Sequence, residues 1–432
     1  MKKPYQIESQ RAVKRLEEMA GEGNPAVQMV LPMAELVGWL HQGVGELVRQ
    51  AGLQLIQLLM DEEVKHLVGE RSRPSPERTA NRWGSEHGYC VVMGQKVPVD
   101  RPRVRTTANR EVRLGSYEMF HRGEPLTETV WEKLMLGLST RSYGEAVRQF
   151  TAAYGLEKSA VSEHFIEASR AKLKDLMERR WEGKQFGALL IDATPFAGQQ
   201  MVAALGIGHD GSKLIMGIRQ GATENATVVG ELLGDLVSRG LDFSELRLYV
   251  LDGGKALHTA VKKHAGEAAL IQRCQVHKRR NVLDHLTDQD KPVVARKLNA
   301  AYALEDYAAA KEALDGLHRE LAALNPSAAR SLAEGLEETL TVHRLHVPRQ
   351  LRMTLSNTNV IESAFAIVEQ VCRNVKRWHG GDQRERWVGS GLLVAEKQFR
   401  RVKGYKQLPA FLRVLNTLGP PRDKVVTRRK AS

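Results

Sequence analysis

The chain has 432 residues, more than one ordinary core accommodates, and its 42% hydrophobic content is enough to bury two or three. A formal net charge of +13 calls for a polyanionic partner, most simply DNA or RNA. No apolar run approaches the roughly 18 residues of a membrane span, and Met1-Lys2-Lys3-Pro4 does not begin a signal peptide. The cysteines, Cys90, Cys274 and Cys372, are odd in number and far apart, so no disulfide framework is expected. The expectation is a soluble protein of a reducing cytosol.

Residues 1–70 read as an N-terminal helical region, with Ala34, Leu36, Val37, Leu40, Leu47 and Val48 at helical spacing. Residues 71–120 change character, with Arg71-Ser-Arg-Pro-Ser-Pro and Val97-Pro-Val-Asp-Arg-Pro-Arg-Val-Arg rich in proline and arginine. Short strands over 89–93 and 112–114 make this a small basic β-module whose arginines face phosphate; a solvated linker is an equal alternative. Residues 121–184 return to helix. A helix, a turn at Tyr154-Gly155 and a second helix opening at Ser159 form a helix-turn-helix-like DNA-binding pattern. Ser159, Ser162, Glu163 or His164 would then lie near base edges. An ordinary helix pair has the same look.

Residues 185–290 and 350–402 read as an α/β core. Strands are expected over 186–192, 201–207 and 213–218, an antiparallel meander turning at His209-Asp210-Gly211. A helix follows over 223–239, then a strand over 246–251, a helix over 256–263 and a strand over 269–273. Residues 291–349, rich in Ala, Leu and Glu, form an all-helical insertion. The helix carrying Glu362 runs to about Val375 and buries Ile361, Phe365, Val368, Cys372 and Val375. Residues 403–432 are a basic C-terminal tail. From Arg373 to Ser432 there are 16 Lys/Arg against 4 Asp/Glu. The segment lacks the continuous apolar face that an interfacial membrane helix needs.

Asp192 and Asp252 each end an apolar strand, and Glu362 opens a helix. Three such carboxylates suit two magnesium ions, which prefer oxygen and keep several waters. Two ions at ~3.5–4 Å activate an attacking oxygen and stabilise a leaving one. This is a D…D…E arrangement on a ribonuclease-H-like sheet. Each member has a plainer reading: Asp252-Gly253 as a turn or helix cap, Asp192 as a turn start, Glu362 as capping-box partner of Asn359. Cys274-x-x-His277 supplies two ligands where structural zinc needs four. Cys274 is therefore read as a small buried hydrophobe and His277 as a hydrogen-bonding or DNA-proximal residue. Lys278, Arg279 and Arg280 are candidates for phosphate contact, with a solvated helix start as the alternative. On the Glu362 helix, Arg373 and Lys376 continue the acidic stripe into a basic one. Gly206-Ile-Gly208-His-Asp-Gly211 lies between strands and opens no helix, which excludes a dinucleotide site. There is no P-loop and no nucleophile-elbow sequence.

The order of these motifs resembles the Mutator-type DDE transposases, specifically their bacterial insertion-sequence branch, from about Arg82 to Tyr405. The matching text is Gly137-Leu-Ser-Thr-Arg141, Ile191-Asp192-Ala-Thr, Gly206-Ile-Gly-His-Asp-Gly-Ser-Lys, Glu224, Arg239-Gly-Leu, Asp252-Gly, Gln272-Arg-Cys274-Gln-Val-His277-Lys-Arg-Arg-Asn281 and Asn357-Thr-Asn-Val-Ile-Glu362. The resemblance implies that Asp192, Asp252 and Glu362 hold two Mg²⁺ or Mn²⁺ ions. It implies a ribonuclease-H-like core interrupted by a helical insertion, with N-terminal helical and small β modules on double-stranded DNA. Terminal inverted repeats and target DNA would be the partners, in a homodimer or higher oligomer of a bacterial, nucleoid-associated cytoplasmic protein. The implied activity is strand cleavage and strand transfer. A non-catalytic, domesticated DNA-binding regulator and a structure-specific nuclease on the same fold are the rivals. Two departures stand out: Gly335-Leu-Glu-Glu-Thr-Leu lacks the tryptophan usual before the Glu, and Asn225 stands where serine is common.

Overall fold

The computed structural model describes residues 8, 11–16, 18, 44–71, 73, 78–92, 95–121, 124–147, 153, 154, 156–222 and 225–418. The expected helical stripe from Ala34 to Leu40, Gly155, Glu224 and tail residues 419–432 lie outside them. The chain forms two compact units, residues 1–168 and 169–432.

In the first unit α1 (Val44–Val68) precedes β1 (Ala80–Val92), β2 (Gln95–Thr106) and β3 (Glu111–Val112), an antiparallel sheet in that order. Then come α2 (Gly115–His121), α3 (Glu124–Met135), α4 (Tyr143–Val147) and α5 (Lys158–Met177), which runs past the division. Ile56, Met60, Val64 and Val68 recur every fourth residue of α1 and pack on Ala80, Cys90 and Val104 of the sheet. Glu63 sits buried beside that stripe. Its carboxylate accepts the Gly115 and Ser116 N–H groups at 2.8 and 2.9 Å and the Ser116 hydroxyl at 2.7 Å. The first turn of α2 thus satisfies a charge that would otherwise be costly to bury.

The strands are longer than the short pieces expected, and two of their arginines are engaged in cross-strand ion pairs. Glu86 stands opposite Arg101 on β1 and β2, and Glu111 stands opposite Arg105 on β3 and β2. Arg101 and Arg103 share the face of Arg105 and pair with Glu86 and Glu111, so cross-strand pairs offset most of the charge on this face. In the helix-turn-helix-like segment, Ser159 and Glu163 are exposed on α5. His164 is half-buried, with Nδ1 3.4 Å from the Thr127 hydroxyl.

The second unit is built on a five-stranded sheet. Its elements are β4 (Phe186–Phe196), β5 (Gln199–Gly208), β6 (Lys213–Gly221), α6 (Ala226–Ser238), β7 (Arg247–Leu251), α7 (Lys255–Ala265) and β8 (Ala269–Arg273). Strand order is β6-β5-β4-β7-β8, with the first three antiparallel and β4, β7 and β8 parallel. A two-residue turn, Ala197-Gly198, joins β4 to β5 with φ of +50 and +76°, the positive values a tight hairpin requires. The parallel links are made by α6 and α7, as parallel pairing demands. Their residues Val229, Leu232, Leu233, Leu257 and Val261 cover one sheet face through Leu189, Ile191, Tyr249 and Leu251. Asn225 caps α6: its Oδ1 accepts the N–H groups of Thr227 and Val228 at 3.0 Å each, the work a serine would do there.

The helical stretch follows with α8 (Gln275–Leu283), α9 (Lys291–Ala303), α10 (Tyr307–Leu324), α11 (Pro326–Ala333), α12 (Leu336–Thr339) and α13 (Thr341–Arg344). Leu298, Leu314, Leu317, Leu321 and Leu332 build its own core with Val282 of α8. Gln272 fastens it to the sheet, donating to Thr339 O at 2.9 Å and accepting Val342 N–H at 2.9 Å. The chain closes with α14 (Arg349–Leu355), α15 (Asn359–Cys372), α16 (Gln383–Gln398) and α17 (Leu408–Leu418); α15 packs on β4 and α16 on β6. Among the described residues no helix is long and apolar enough to cross a membrane.

Candidate active site

The parallel ladder between β4 and β7 ends at Ile191 opposite Leu251. The next residues, Asp192 and Asp252, therefore emerge side by side from strands about 4.8 Å apart. Asp192 does not end its strand. The hairpin with β5 carries β4 on to Phe196, and Pro195 is tolerated because its missing N–H falls beyond the β7 ladder. Asp252 does end β7. Its Oδ1 accepts Gly254 N–H at 2.8 Å, and Gly253 turns the chain at φ +102°. A Cβ on Gly253 would stand 2.2 Å from Arg273 Nε, so the turn beside Asp252 requires glycine.

Glu362 comes from the first turn of α15. The capping-box alternative is not realised: Asn359 N–H goes to Asn357 Oδ1 at 3.0 Å, and Glu362 Oε1 accepts the Thr358 hydroxyl at 3.0 Å. Oε1 lies 3.9 Å from His277 Nε2, and Oε2 lies 3.7 Å from Arg280 Nη1.

Electrostatics ties these groups together. Asp192 is 4% exposed. Burial first, then the neighbouring charge of Asp252 and more weakly that of Glu362, pushes its carboxyl up to about 8; His277 and the Ala193 N–H oppose the rise. His277 is raised to about 9, first by its hydrogen bond to Cys274, against burial, with Asp192 and Glu362 adding to the rise. Electrostatically coupled carboxylates with His277 and Arg280 as compensating charge suit a divalent cation, and oxygen donors suit Mg²⁺ or Mn²⁺.

Cys274 is fully buried, as expected, but it is not merely a small apolar residue. It caps α8, its Sγ accepting His277 N–H at 3.5 Å with the Thr358 hydroxyl also 3.5 Å away. The thiol lies below its usual range because hydrogen bonds from His277 and Thr358 outweigh burial, which acts in the opposite sense. Ligand atoms of Cys274, His277 and Glu362 lie within 4.8 Å of one another. Cys372, in the buried stripe of α15, is ten residues beyond Glu362, about 15 Å along the helix, and does not join this group.

One basic candidate is corrected. Lys278 is fully buried, and its ammonium donates to the carbonyls of Ser331 and Glu334 rather than facing phosphate. The α8 period turns it inward with Val282, four residues on. Burial drives it down to about 8. Arg279 is half-buried with Nη1 on Asn299 Oδ1, Arg280 is exposed beside Glu362, and Arg373 and Lys376 are exposed just past the end of α15. Thr358, whose single hydroxyl lies between Glu362, Cys274 and His277, was not singled out from sequence, although it stands inside Asn357-Thr-Asn359.

The family model described as "Transposase, Mutator family" matches residues 31–393. The "Transposase for insertion sequence element ISRM5" of Rhizobium meliloti (strain 1021) is 29% identical over 334 residues, covering 74% of this chain and 79% of its own length. The "Transposase for insertion sequence element IS1201" of Lactobacillus helveticus is 23% identical over 336 residues, 76% of this chain and 88% of its own. A match across most of the chain, taking in Asp192, Asp252 and Glu362 together, means that this protein belongs to the Mutator family of transposases.

Proposed function

We propose that this chain is the transposase of an insertion sequence, cutting and joining DNA with Asp192, Asp252 and Glu362 as metal ligands. The carrying observation is that Asp192 is buried yet lies in the electrostatic field of both other carboxylates, where the β4–β7 ladder ends. The strand order, with three antiparallel strands followed by two parallel ones across β4, supports a ribonuclease-H-like reading of the sheet. Helices α9–α13 are then the insertion before the Glu362 helix.

Two Mg²⁺ or Mn²⁺ ions bound there would activate the attacking oxygen and stabilise the leaving one. Asp192 and Asp252, fixed by adjacent strands, hold one edge of the cluster, and Glu362 closes it from α15. The Thr358 hydroxyl orients Glu362, and Arg280 adds positive charge beside it. Water attacks the phosphodiester at the element end, the P–O3′ bond breaks, and a 3′-hydroxyl and a 5′-phosphate remain. That 3′-hydroxyl then attacks a target phosphodiester, so one P–O bond forms as another breaks. The first unit and the basic C-terminal segment grip terminal inverted repeats and target DNA in a homo-oligomer working on cytoplasmic, nucleoid DNA. A non-catalytic regulator has no need of the charge coupling among Asp192, Asp252 and Glu362.

Purified protein should nick a duplex carrying the element's ends only when a divalent metal is added, and Asp252→Asn should abolish the nicking. Full activity in that variant refutes the assignment; cleavage without strand transfer would favour the nuclease.

A further inference from the structure

A cavity of about 430 Å³ opens against Gln275 and Asn357. These are the immediate chain neighbours of Cys274 and Thr358 at the carboxylate site. Arg279 reaches the cavity from α8, and Arg349 and Arg352 from α14; no Asp or Glu lines it. Among the described residues, none of the three has a carboxylate within ion-pair distance.

Arg352 makes this informative. Five arginines in the described residues are buried: Arg239, Arg247, Arg273, Arg352 and Arg386. Four pair with a carboxylate, respectively Asp235 at 2.7 Å, Glu245 at 2.8 Å, Glu334 at 3.4 Å and Asp382 at 2.9 Å. Among the described residues Arg352, 6% exposed, has the Glu305 backbone carbonyl at 3.3 Å but no carboxylate in ion-pair contact; burial lowers it, the more distant charge of Glu305 opposes this, and Arg349 adds a weaker repulsion. A buried guanidinium with no directly paired carboxylate is costly unless an anion completes it. Guanidinium forks match phosphate oxygens in number and direction, and the cavity has room for a phosphate.

We propose that Arg279, Arg349 and Arg352 form a phosphate-binding subsite that holds a DNA backbone phosphate flanking the one that is cut. This rests on the DNA-cleavage reading above and adds a fixed anchor for the strand. The subsite sets where the strand lies; it takes no part in the bond-making.

The test uses the full chain with Arg279 and Arg349 both changed to Gln, leaving buried Arg352 intact so that the fold survives. A second variant, Arg319→Gln, removes an exposed cation from α10 as a charge control. Binding of a mixed-sequence DNA duplex is measured against salt. One lost phosphate contact should lower the slope of log K on log salt by about 0.9 and weaken binding roughly tenfold at low salt, with Arg319→Gln near wild type. Equal effects in the double variant and the control, or an unchanged slope in the double variant, overturn the subsite. Inorganic phosphate is tested in parallel by thermal shift. If it stabilises wild type but not the double variant while the DNA slope is unchanged, the site takes free phosphate and the DNA assignment falls. Wild type that neither binds nor nicks DNA would instead refute the functional reading.

Discussion

Replacing Asp192 by Asn should stabilise the metal-free protein in alkaline solution while destroying its activity. The Asp192 carboxyl is pushed from 3.8 to about 8, first by burial and then by Asp252. Its folded value lies above its unfolded one, so the stability it contributes is fully present below about pH 4 and is lost as pH rises through 8. Four units at about 1.4 kcal/mol each set a ceiling of roughly 6 kcal/mol once the group is ionised. Part of that cost belongs to Asp252 and Glu362 jointly, and His277 loses an attractive partner in the variant, so about 3 kcal/mol is the working figure. At roughly 2–4 °C per kcal/mol, Asp192→Asn should melt about 6–12 °C above wild type at pH 9 in chelator. At pH 5, where Asp192 is protonated, the two should melt together within a few degrees. Lys278 also titrates near pH 8, with the opposite sign, but it is common to both proteins and cancels in the difference. Mg²⁺ at pH 9 should raise wild type towards the variant. Differential scanning fluorimetry across pH reads this directly. A variant no more stable than wild type at pH 9, or equally stabilised at pH 5, would refute the crowded-carboxylate reasoning.

Arg247 is fully buried and donates to Phe186 O at 3.0 Å, Asp242 O at 2.9 Å and Glu245 Oε2 at 2.8 Å. Arg247→Ala strands the buried Phe186 carbonyl and leaves a void where the side chain lay, and should cost about 2–4 kcal/mol by chemical denaturation, with a loss under 1 kcal/mol contradicting it. Thr358→Val removes the hydroxyl that orients Glu362. A hydrogen bond to a charged group is worth about 1.5–3 kcal/mol, so metal-dependent nicking should fall roughly 10–100-fold with the fold intact; an unchanged rate would count against that role.

Much of the second unit was legible because its strands are punctuated by turn chemistry. His209-Asp210-Gly211 marks the β5–β6 turn, and Gly211 does adopt a φ of +84°. The apolar run over 248–251 reads as a strand, and it is buried together with Arg247 at the start of β7. The end of β4 was not legible, since which ladder stops at Asp192 depends on β7, some sixty residues away. Lys278 could have been read differently: it shares a helical face with Val282, a position that favours the interior, but the run of basic residues suggests solvent. The grouping of Thr358 with Cys274 and His277 joins residues more than eighty apart, and no local pattern encodes it. Arg279 and Arg352 are likewise brought together only by the fold, and the pairing of Arg101 and Arg103 with Glu86 and Glu111 depends on the register of neighbouring strands.

The most direct test is to find the metals. Crystals soaked in Mn²⁺ and measured at its absorption edge should show two anomalous peaks, about 3.5–4 Å apart, bounded by carboxylate oxygens of Asp192, Asp252 and Glu362. Density held by Cys274 and His277 with nothing at Asp252, or no density beside Asp192 at all, would contradict the proposed chemistry.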